Sequence, residues 1–211
     1  NVGFSDNAEY GVNGWEHSSL NDGTDEWHQS EADFYSETHS WKAGNTGGGD
    51  YSSGLLCALD SPVIELSGET YLSFYHWMDA EVSGSYEGEC YDGGLVEIYH
   101  NDEWSQIFPE GDYPYTTRGD NNPPFAEGTE VYSGTTEWER AFFNLEDYSG
   151  TVQFRFVFGS DGAANAEGWY IDDITIVDPS VFLDIPQNLI AESISENQIG
   201  LSWEAPGTVP N

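Results

Sequence analysis

Basic side chains are nearly missing from this chain of 211 residues. Four lysines and arginines stand against 39 aspartates and glutamates, so the formal net charge is −35. Nucleic acids and anionic membrane surfaces are bound through lysine and arginine, and the composition therefore argues against both as partners. Three explanations of the acidity remain: a solvated surface of the halophilic kind, calcium sites built from carboxylates, and attraction to cationic partners.

Long hydrophobic runs are absent as well. No stretch of about 18 apolar residues exists, so no transmembrane helix is predicted. No signal peptide is visible, and the chain begins at Asn1 without methionine. We interpret the sequence as a processed or excised piece of a larger protein.

Two motifs of hydrolytic enzymes are also missing. The sequence contains neither His-Glu-x-x-His, which holds catalytic zinc, nor Gly-x-Ser-x-Gly, which presents a nucleophilic serine. The five histidines share no ligand spacing. We therefore predict that this chain is not an enzyme, although its parent protein could be a hydrolase such as a metalloprotease.

Cysteine is scarce, with two residues, Cys57 and Cys90. An even pair in an acidic, lysine-poor and tryptophan-rich chain favours an extracytoplasmic compartment and one disulfide. Two buried free thiols are the alternative.

Aromatic side chains are plentiful, at 15% of residues, and there are 24 glycines. Short β-branched and aromatic runs, separated by Gly, Asn, Asp and Pro clusters, predict an all-β protein. About ten strands at this spacing indicate a sandwich of two antiparallel sheets. We expect them at residues 15–18, 40–43, 54–59, 63–66, 70–79, 93–99, 104–107, 138–145, 151–158 and 169–177.

The last two of these strands are the most informative. Val152, Phe154, Phe156 and Phe158 alternate with other residues, which is the period of a strand that faces a core on one side. The final strand interrupts its apolar run with adjacent carboxylates at positions 172 and 173. Because neighbouring side chains alternate across a sheet, one of them must point towards the core, where a charge needs a partner such as a metal ion.

A change of composition at Asp178-Pro179 divides the chain. We predict a module over residues 1–179, followed over residues 180–211 by a linker and the start of another domain. Ile185-Pro186, Leu189 and the Leu-x-Trp-x-x-Pro pattern that ends at Pro206 resemble the first two strands of a fibronectin type III domain. Too few residues remain to bury the core of a second sandwich, so that domain is truncated.

The first module resembles the MAM-like jelly-roll modules of secreted bacterial proteins. These include the C-terminal module of immune-inhibitor-A-type metalloproteases and the cleaved-adhesin modules of gingipain-type proteases. The resemblance is carried, in order, by FSD at 4–6, GW at 14–15, DEWH at 25–28, SPVIELSG at 61–68, LSFYHW at 72–77, YDGGLVEI at 91–98, Trp104, FRFVFGSD at 154–161 and GWYIDDI at 168–174.

This resemblance implies a jelly-roll β-sandwich, stabilisation by calcium, and a non-catalytic role in binding or adhesion outside the cell. Related carbohydrate-binding modules use a Phe-Glu start and an aspartate near the C-terminus as calcium ligands. Here Ser5 stands in place of that glutamate, and Asp6 or Asn7 would substitute for it.

Three acidic clusters offer the oxygen ligands that calcium prefers. The first joins Asp6 and Asn7 to Asp172 and Asp173. The second is the loop that contains Asp22 and Asp25. The third comprises Asp79, Glu81, Glu89 and Asp92. Solvated carboxylates without an ion are the alternative for each.

A loop rich in proline and aromatic residues, at 110–134, is expected to carry the binding function. Sugar rings stack on aromatic faces, and the candidates in or near this loop are Trp104, Tyr113, Tyr115, Tyr132 and Trp138. We predict a calcium-stabilised module that recognises a glycan or a cell-surface protein, beside other domains of the same polypeptide. The alternatives are a structural spacer of a secreted protease and a protein-binding adhesin.

Overall fold

The computed structural model describes residues 2–66, 71–120, 123–177, 187–195 and 198–204. Within these ranges the regular structure consists of 18 strands and no helix. They are β1 (Val2–Asp6), β2 (Glu16–Ser19), β3 (Trp27–Ser30), β4 (Ser40–Ala43), β5 (Leu56–Asp60), β6 (Ile64–Leu66), β7 (Tyr71–Ala80), β8 (Glu89–Cys90), β9 (Gly93–His100), β10 (Glu103–Ile107), β11 (Tyr115–Thr117), β12 (Glu130–Val131), β13 (Gly134–Thr135), β14 (Glu139–Asn144), β15 (Gly150–Gly159), β16 (Gly168–Val177), β17 (Gln187–Ser195) and β18 (Gln198–Glu204).

Two antiparallel sheets form the sandwich. The first sheet has the order β13-β7-β16-β4-β3, with β1 added along β16 and β14 along β7. The second has the order β10-β9-β15-β5-β2, with β6 added along β15. Because the chain passes from β14 to β15 to β16 by changing sheets at each step, the connections are those of a jelly roll rather than a meander. The all-β fold class is confirmed.

All ten predicted strands are present, with ends that differ by one or two residues. The strands missing from the prediction are short or polar, such as β3 with the sequence WHQS, or the two-residue pairings β8, β12 and β13. The third, small sheet β12-β11-β8 lies partly in the segment predicted to be a loop.

The core follows from the alternation in β15. Val152, Phe154, Phe156 and Phe158 are each at most 2% exposed. Phe156 packs edge-on against Phe74 of β7, with ring centroids 5.0 Å apart, and lies 6.0 Å from Trp169 of β16. Aromatic pairs in this geometry contribute about 0.5–1.5 kcal/mol beyond the burial of their area. Aromatic side chains from the two sheets therefore pack against one another in the core.

The disulfide prediction is wrong, because Cys57 and Cys90 are both free and buried. Cys57 lies in β5 of the second sheet, opposite Phe158. Cys90 lies in β8 of the small sheet, where its Sγ is 3.6 Å from the Thr116 carbonyl oxygen. Burial raises the pKa of each thiol to about 12, so both are unreactive at neutral pH.

Two described strands lie near the end of the chain. β17 and β18 pair antiparallel, as the first two strands of a fibronectin type III domain would. The predicted linker at 178–186 and the residues after 204 lie outside the described ranges. The division into two domains therefore stays a prediction.

Candidate functional site

A row of aromatic side chains lies on the outer surface of the first sheet. Tyr35, in the segment between β3 and β4, stacks on Tyr75 of β7 with ring centroids 3.5 Å apart and planes within 9°. Trp138, immediately before β14, lies 6.1 Å from Tyr35. Tyr35 is 45% exposed, so the free side of its ring is open to a ligand. We call Tyr35, Tyr75 and Trp138 the aromatic face.

Polar groups hold these rings in place. The Trp138 indole nitrogen donates to Asp33 Oδ1 at 3.2 Å. The Arg140 guanidinium lies 5.4 Å from the Tyr75 ring centroid, and its Nε donates to Ser73 Oγ at 2.7 Å. Each ring is thus supported from below or from the side, which lowers the conformational entropy lost when a ligand stacks on it.

Asp172 fixes the segment that carries Tyr35. Its Oδ2 accepts hydrogen bonds from the backbone N–H groups of Tyr35, at 3.0 Å, and of Ser36, at 2.9 Å. Its Oδ1 accepts from the backbone N–H of Asp173 at 2.7 Å. Burial raises the pKa of this carboxyl to about 6, whereas the three donors favour its charged form. Asp172 therefore holds in place the segment that carries Tyr35 of the aromatic face.

The inference that one member of this doublet points into the core is wrong. The pairing of β16 with β7 shifts between Asp172 and Thr175, which inserts one extra residue as a β-bulge. Asp173 takes the left-handed backbone conformation, with φ of 48°. As a result Ile171 and Ile174 both face the core while both carboxylates stay outside it. The observation that demanded a metal at Asp172 is thereby removed.

The first predicted calcium cluster comes together only in part. Asp6, Asn7 and Asp173 line one surface cleft, while Asp172 turns to the 33–36 segment. Asp6 already accepts from the backbone N–H of Ala8, at 2.8 Å, and from the Asn13 amide, at 3.0 Å.

The second predicted cluster is an exposed loop. Asp22 is solvent-exposed. Asp25 Oδ2 lies 2.5 Å from His17 Nδ1, and Oδ1 accepts from the backbone N–H of Trp27 at 3.2 Å. The two aspartates do not belong to a shared group of carboxylates among the residues the structure describes.

The third predicted cluster is split by the fold. Asp79 accepts from the Thr135 hydroxyl at 2.7 Å, and Glu89 pairs with Arg118. Glu81 and Asp92 instead come together with Asp161, and ligand atoms of all three lie within 4.8 Å of one another. We call Glu81, Asp92 and Asp161 the acidic trio. Over the described ranges it is the one group of three or more His, Cys, Asp or Glu residues with a metal-like arrangement.

Two of the five aromatic residues predicted to bind sugar belong to the core, and for these the prediction is wrong. Tyr113 and Tyr132 are each 7% exposed. The Tyr113 hydroxyl donates to the Ile107 carbonyl and accepts from the backbone N–H of Val96. The Tyr132 ring packs against His76, with ring centroids 4.4 Å apart. Their segment folds back on the sandwich, so neither ring is available to a ligand.

The other three predicted residues are partly exposed but lie apart. Trp104 lies on β10 of the second sheet, and the Arg155 guanidinium carbon is 4.0 Å from the centroid of its ring. Tyr115 begins β11 of the small sheet. Trp138 alone joins the aromatic face, on the opposite sheet from Trp104.

Sequence reasoning missed Tyr35, Tyr75 and Asp161. The alternation of β7, with Phe74 and His76 buried, could have placed Tyr75 on the outer face, but nothing local shows that residues 33–36 fold over it. Asp161 joins the trio because Gly159 of β15 pairs with Gly93 of β9, which brings the residues just beyond each strand together. That register is a long-range property.

Comparisons with known proteins give one sequence relative and several structural neighbours. No protein-family profile matches the chain. The sequence is 28% identical over 144 residues, or 66% of the chain, to bacillopeptidase F of Bacillus subtilis, and it spans 8% of that protein's length.

Among solved structures, the chain is similar to two domains of Lys-gingipain from Porphyromonas gingivalis. The K1 cleaved-adhesin domain is 15% identical, with 82% of this chain and 96% of that chain covered and a TM-score of 0.47. The K3 domain is 13% identical, with 83% and 97% covered and a TM-score of 0.48. The module TmCBM61, solved in complex with β-1,4-galactotriose, is 12% identical, with 82% and 98% covered and a TM-score of 0.45. None of the described residues forms a helix long and apolar enough to span a membrane.

Proposed function

We propose that this chain is a non-catalytic binding module that recognises an uncharged glycan on its aromatic face. The observation that carries the proposal is the ring of Tyr35, 45% exposed and stacked at 3.5 Å on Tyr75, with Trp138 6.1 Å away. A rigid aromatic surface of this kind suits the apolar face of a pyranose ring.

The surroundings of the aromatic face supply polar contacts for sugar hydroxyls. Exposed carboxylates of Glu137 and Glu139 flank Trp138, and Glu37 follows the Tyr35 segment. Carboxylates accept hydrogen bonds from hydroxyl groups. With a net charge of −35 the chain repels sulfated or uronic-acid polymers, which favours a neutral ligand.

We place the module in a larger secreted bacterial protein, beside other domains of the same polypeptide, as the MAM-like resemblance implies. Bound calcium is part of the proposal as a stabilising ion, not as a contact to the sugar. A cell-surface glycan is the proposed partner.

A glycan array probed in calcium tests the proposal. The chain is expected to bind a subset of neutral glycans, and Tyr35→Ala should weaken the affinity at least 10-fold, equivalent to about 1.4 kcal/mol. Phe108→Ala is the matched control, because Phe108 is also an exposed aromatic residue, at 52%, but lies outside the aromatic face. Equal binding by the wild type and Tyr35→Ala would contradict the assignment of the site.

A structural spacer is the second candidate, favoured by the burial of Tyr113 and Tyr132. It predicts that no glycan binds and that the module changes the stability of its neighbouring domain instead. A protein-binding adhesin predicts an empty glycan array together with binding to a cell-surface protein that Tyr35→Ala weakens.

A further inference from the structure

The acidic trio joins three strand ends at one end of the sandwich. Glu81 follows β7 of the first sheet, Asp92 precedes β9 of the second sheet, and Asp161 follows β15 of the second sheet. Asp92 and Asp161 are 0% and 1% exposed, and Glu81 is half-buried. Three carboxylates brought within 4.8 Å of one another repel strongly unless a cation or protons neutralise them.

The hydrogen bonds of the trio leave one buried oxygen without a partner. Asp92 accepts from the Tyr51 hydroxyl and from the backbone N–H of Asp161, each at 2.6 Å. Asp161 Oδ1 accepts from the backbone N–H of Ala163 at 2.8 Å. Asp161 Oδ2, however, is buried and has no hydrogen-bond partner in the part of the chain that the structure describes. Buried polar atoms in native proteins are rarely left in this state, so this oxygen points to a ligand.

The cations of the chain are engaged elsewhere. Lys42 Nζ donates to the carbonyl oxygens of Asn45, Gly47 and Gly49. The remaining three are the arginines: Arg118 pairs with Glu89 and Asp120, Arg140 lies against Tyr75 and Phe142, and Arg155 pairs with Asp60. None of these four basic side chains, all of which lie in the described ranges, therefore neutralises the trio.

We propose that Glu81, Asp92 and Asp161 bind a calcium ion that ties the two sheets together at this end of the sandwich. The donor set consists of hard carboxylate oxygens, without histidine or cysteine, which selects calcium over zinc. Calcium tolerates irregular geometry and completes its coordination with water or carbonyl oxygens, whereas magnesium demands an octahedron. The site does not depend on glycan binding, because none of its residues belongs to the aromatic face.

The proposal makes an unusual prediction for Asp161→Asn. The amide keeps an oxygen for the Ala163 N–H and supplies donors to the neighbouring carboxylates, while it removes one negative charge. Without calcium the variant should therefore be more stable than the wild type. Calcium should increase the stability of this variant only slightly, because one charged ligand is lost.

The experiment compares the full 211-residue chain as wild type, Asp161→Asn and Asp147→Asn, by calorimetric titration with calcium chloride and by thermal unfolding in calcium and in chelator. Asp147→Asn removes the same charge from an exposed position outside every predicted calcium cluster and is the matched control. Calcium should raise the unfolding midpoint of the wild type and of Asp147→Asn. The affinity of Asp161→Asn should be at least 10-fold weaker, and its midpoint in chelator should be the highest of the three.

Two results would overturn the proposal: calcium binding to Asp161→Asn with unchanged affinity, or no heat and no shift of the wild-type midpoint on adding calcium. The second would mean that shared protons neutralise the trio. If Asp161→Asn does not fold, Glu81→Gln replaces it, since Glu81 is half-buried and has room to adjust. Unchanged calcium affinity in Glu81→Gln would then count against the site.

Discussion

Two buried aspartates, Asp172 and Asp161, are each 1% exposed, yet their surroundings differ completely. Asp172 accepts hydrogen bonds from three backbone N–H groups, of Tyr35, Ser36 and Asp173. Asp161 has one such donor, from Ala163, and its other oxygen has none. The fold supplies hydrogen-bond donors to both oxygens of the first carboxylate, whereas Oδ2 of the second has no donor among the described residues.

The comparison teaches that burial of a carboxylate does not by itself indicate a metal. Peptide dipoles stabilise a buried anion when a loop can wrap around it, as residues 33–36 wrap around Asp172. Three carboxylates together are different. Two charges 4.8 Å apart repel by roughly 3–4 kcal/mol at an effective dielectric constant of 20, and a few N–H groups do not cancel this.

The largest expected effect is that of Asp172→Ala. It leaves three backbone N–H groups without their acceptor, and each lost partner of this kind costs about 1–3 kcal/mol, so we expect the free energy of unfolding to fall by about 3–5 kcal/mol. Urea unfolding measures it. The loss should be the same in calcium and in chelator, and a loss confined to calcium would place a metal ion at Asp172 after all.

The second prediction concerns His76, a buried group that is kept uncharged. Burial lowers its pKa to about 3, and the Trp169 indole donates to its Nδ1. Since the unfolded chain takes up this proton near pH 6.5 and the folded chain does not, stability is complete above pH 6.5 and falls towards pH 3. The slope should reach about 1.4 kcal/mol per pH unit.

The variant His76→Gln, which retains an acceptor for Trp169, isolates this contribution. Its unfolding free energy, measured in urea at several pH values between 4 and 7, should vary less steeply than that of the wild type. Identical slopes would show that His76 stays protonated in the folded state, paired with Glu139, whose Oε1 lies 3.6 Å from Nε2.

The third prediction is for Glu81→Gln, in the acidic trio. Removing one of three mutually repelling charges should raise the unfolding free energy in chelator by about 1 kcal/mol and weaken calcium binding about 10-fold. Because Glu81 is only half-buried, solvent screening keeps the first effect small. A decrease of stability in chelator would mean that the trio is already neutral.

The smallest effect is expected for Asp6→Asn. Asp6 lines a cleft with Asp173, but its two oxygens already have donors in Ala8 and Asn13. The shift of the unfolding midpoint that calcium causes should therefore equal that of the wild type. A reduced shift would move the calcium site to this cleft, where the sequence resemblance first suggested it.

The sandwich could be predicted because its signals are local. The alternation of Phe154, Phe156 and Phe158 identifies an inner face from eight residues, and such patterns predict ten of the strands. The bulge at Asp172–Asp173 was not predicted, since unbroken alternation is the default for a strand and the register shift depends on β7.

The candidate sites were harder to predict for the same reason. Tyr35 reaches Tyr75 only because a loop 40 residues earlier folds over the sheet, and Asp161 reaches Asp92 only through the pairing of β15 with β9. The aromatic residues of the 110–134 segment are predicted to bind sugar because long loops in compact domains are often functional. The hydroxyl of Tyr113, however, finds partners in the backbone and can be buried.

Anomalous diffraction from crystals soaked in terbium chloride, as a calcium substitute, tests the central contrast most directly. We predict a strong peak between the carboxylates of Glu81, Asp92 and Asp161, and no peak within coordination distance of Asp172. A peak beside Asp172, or ordered carboxylates in the trio with no ion between them, would contradict the account.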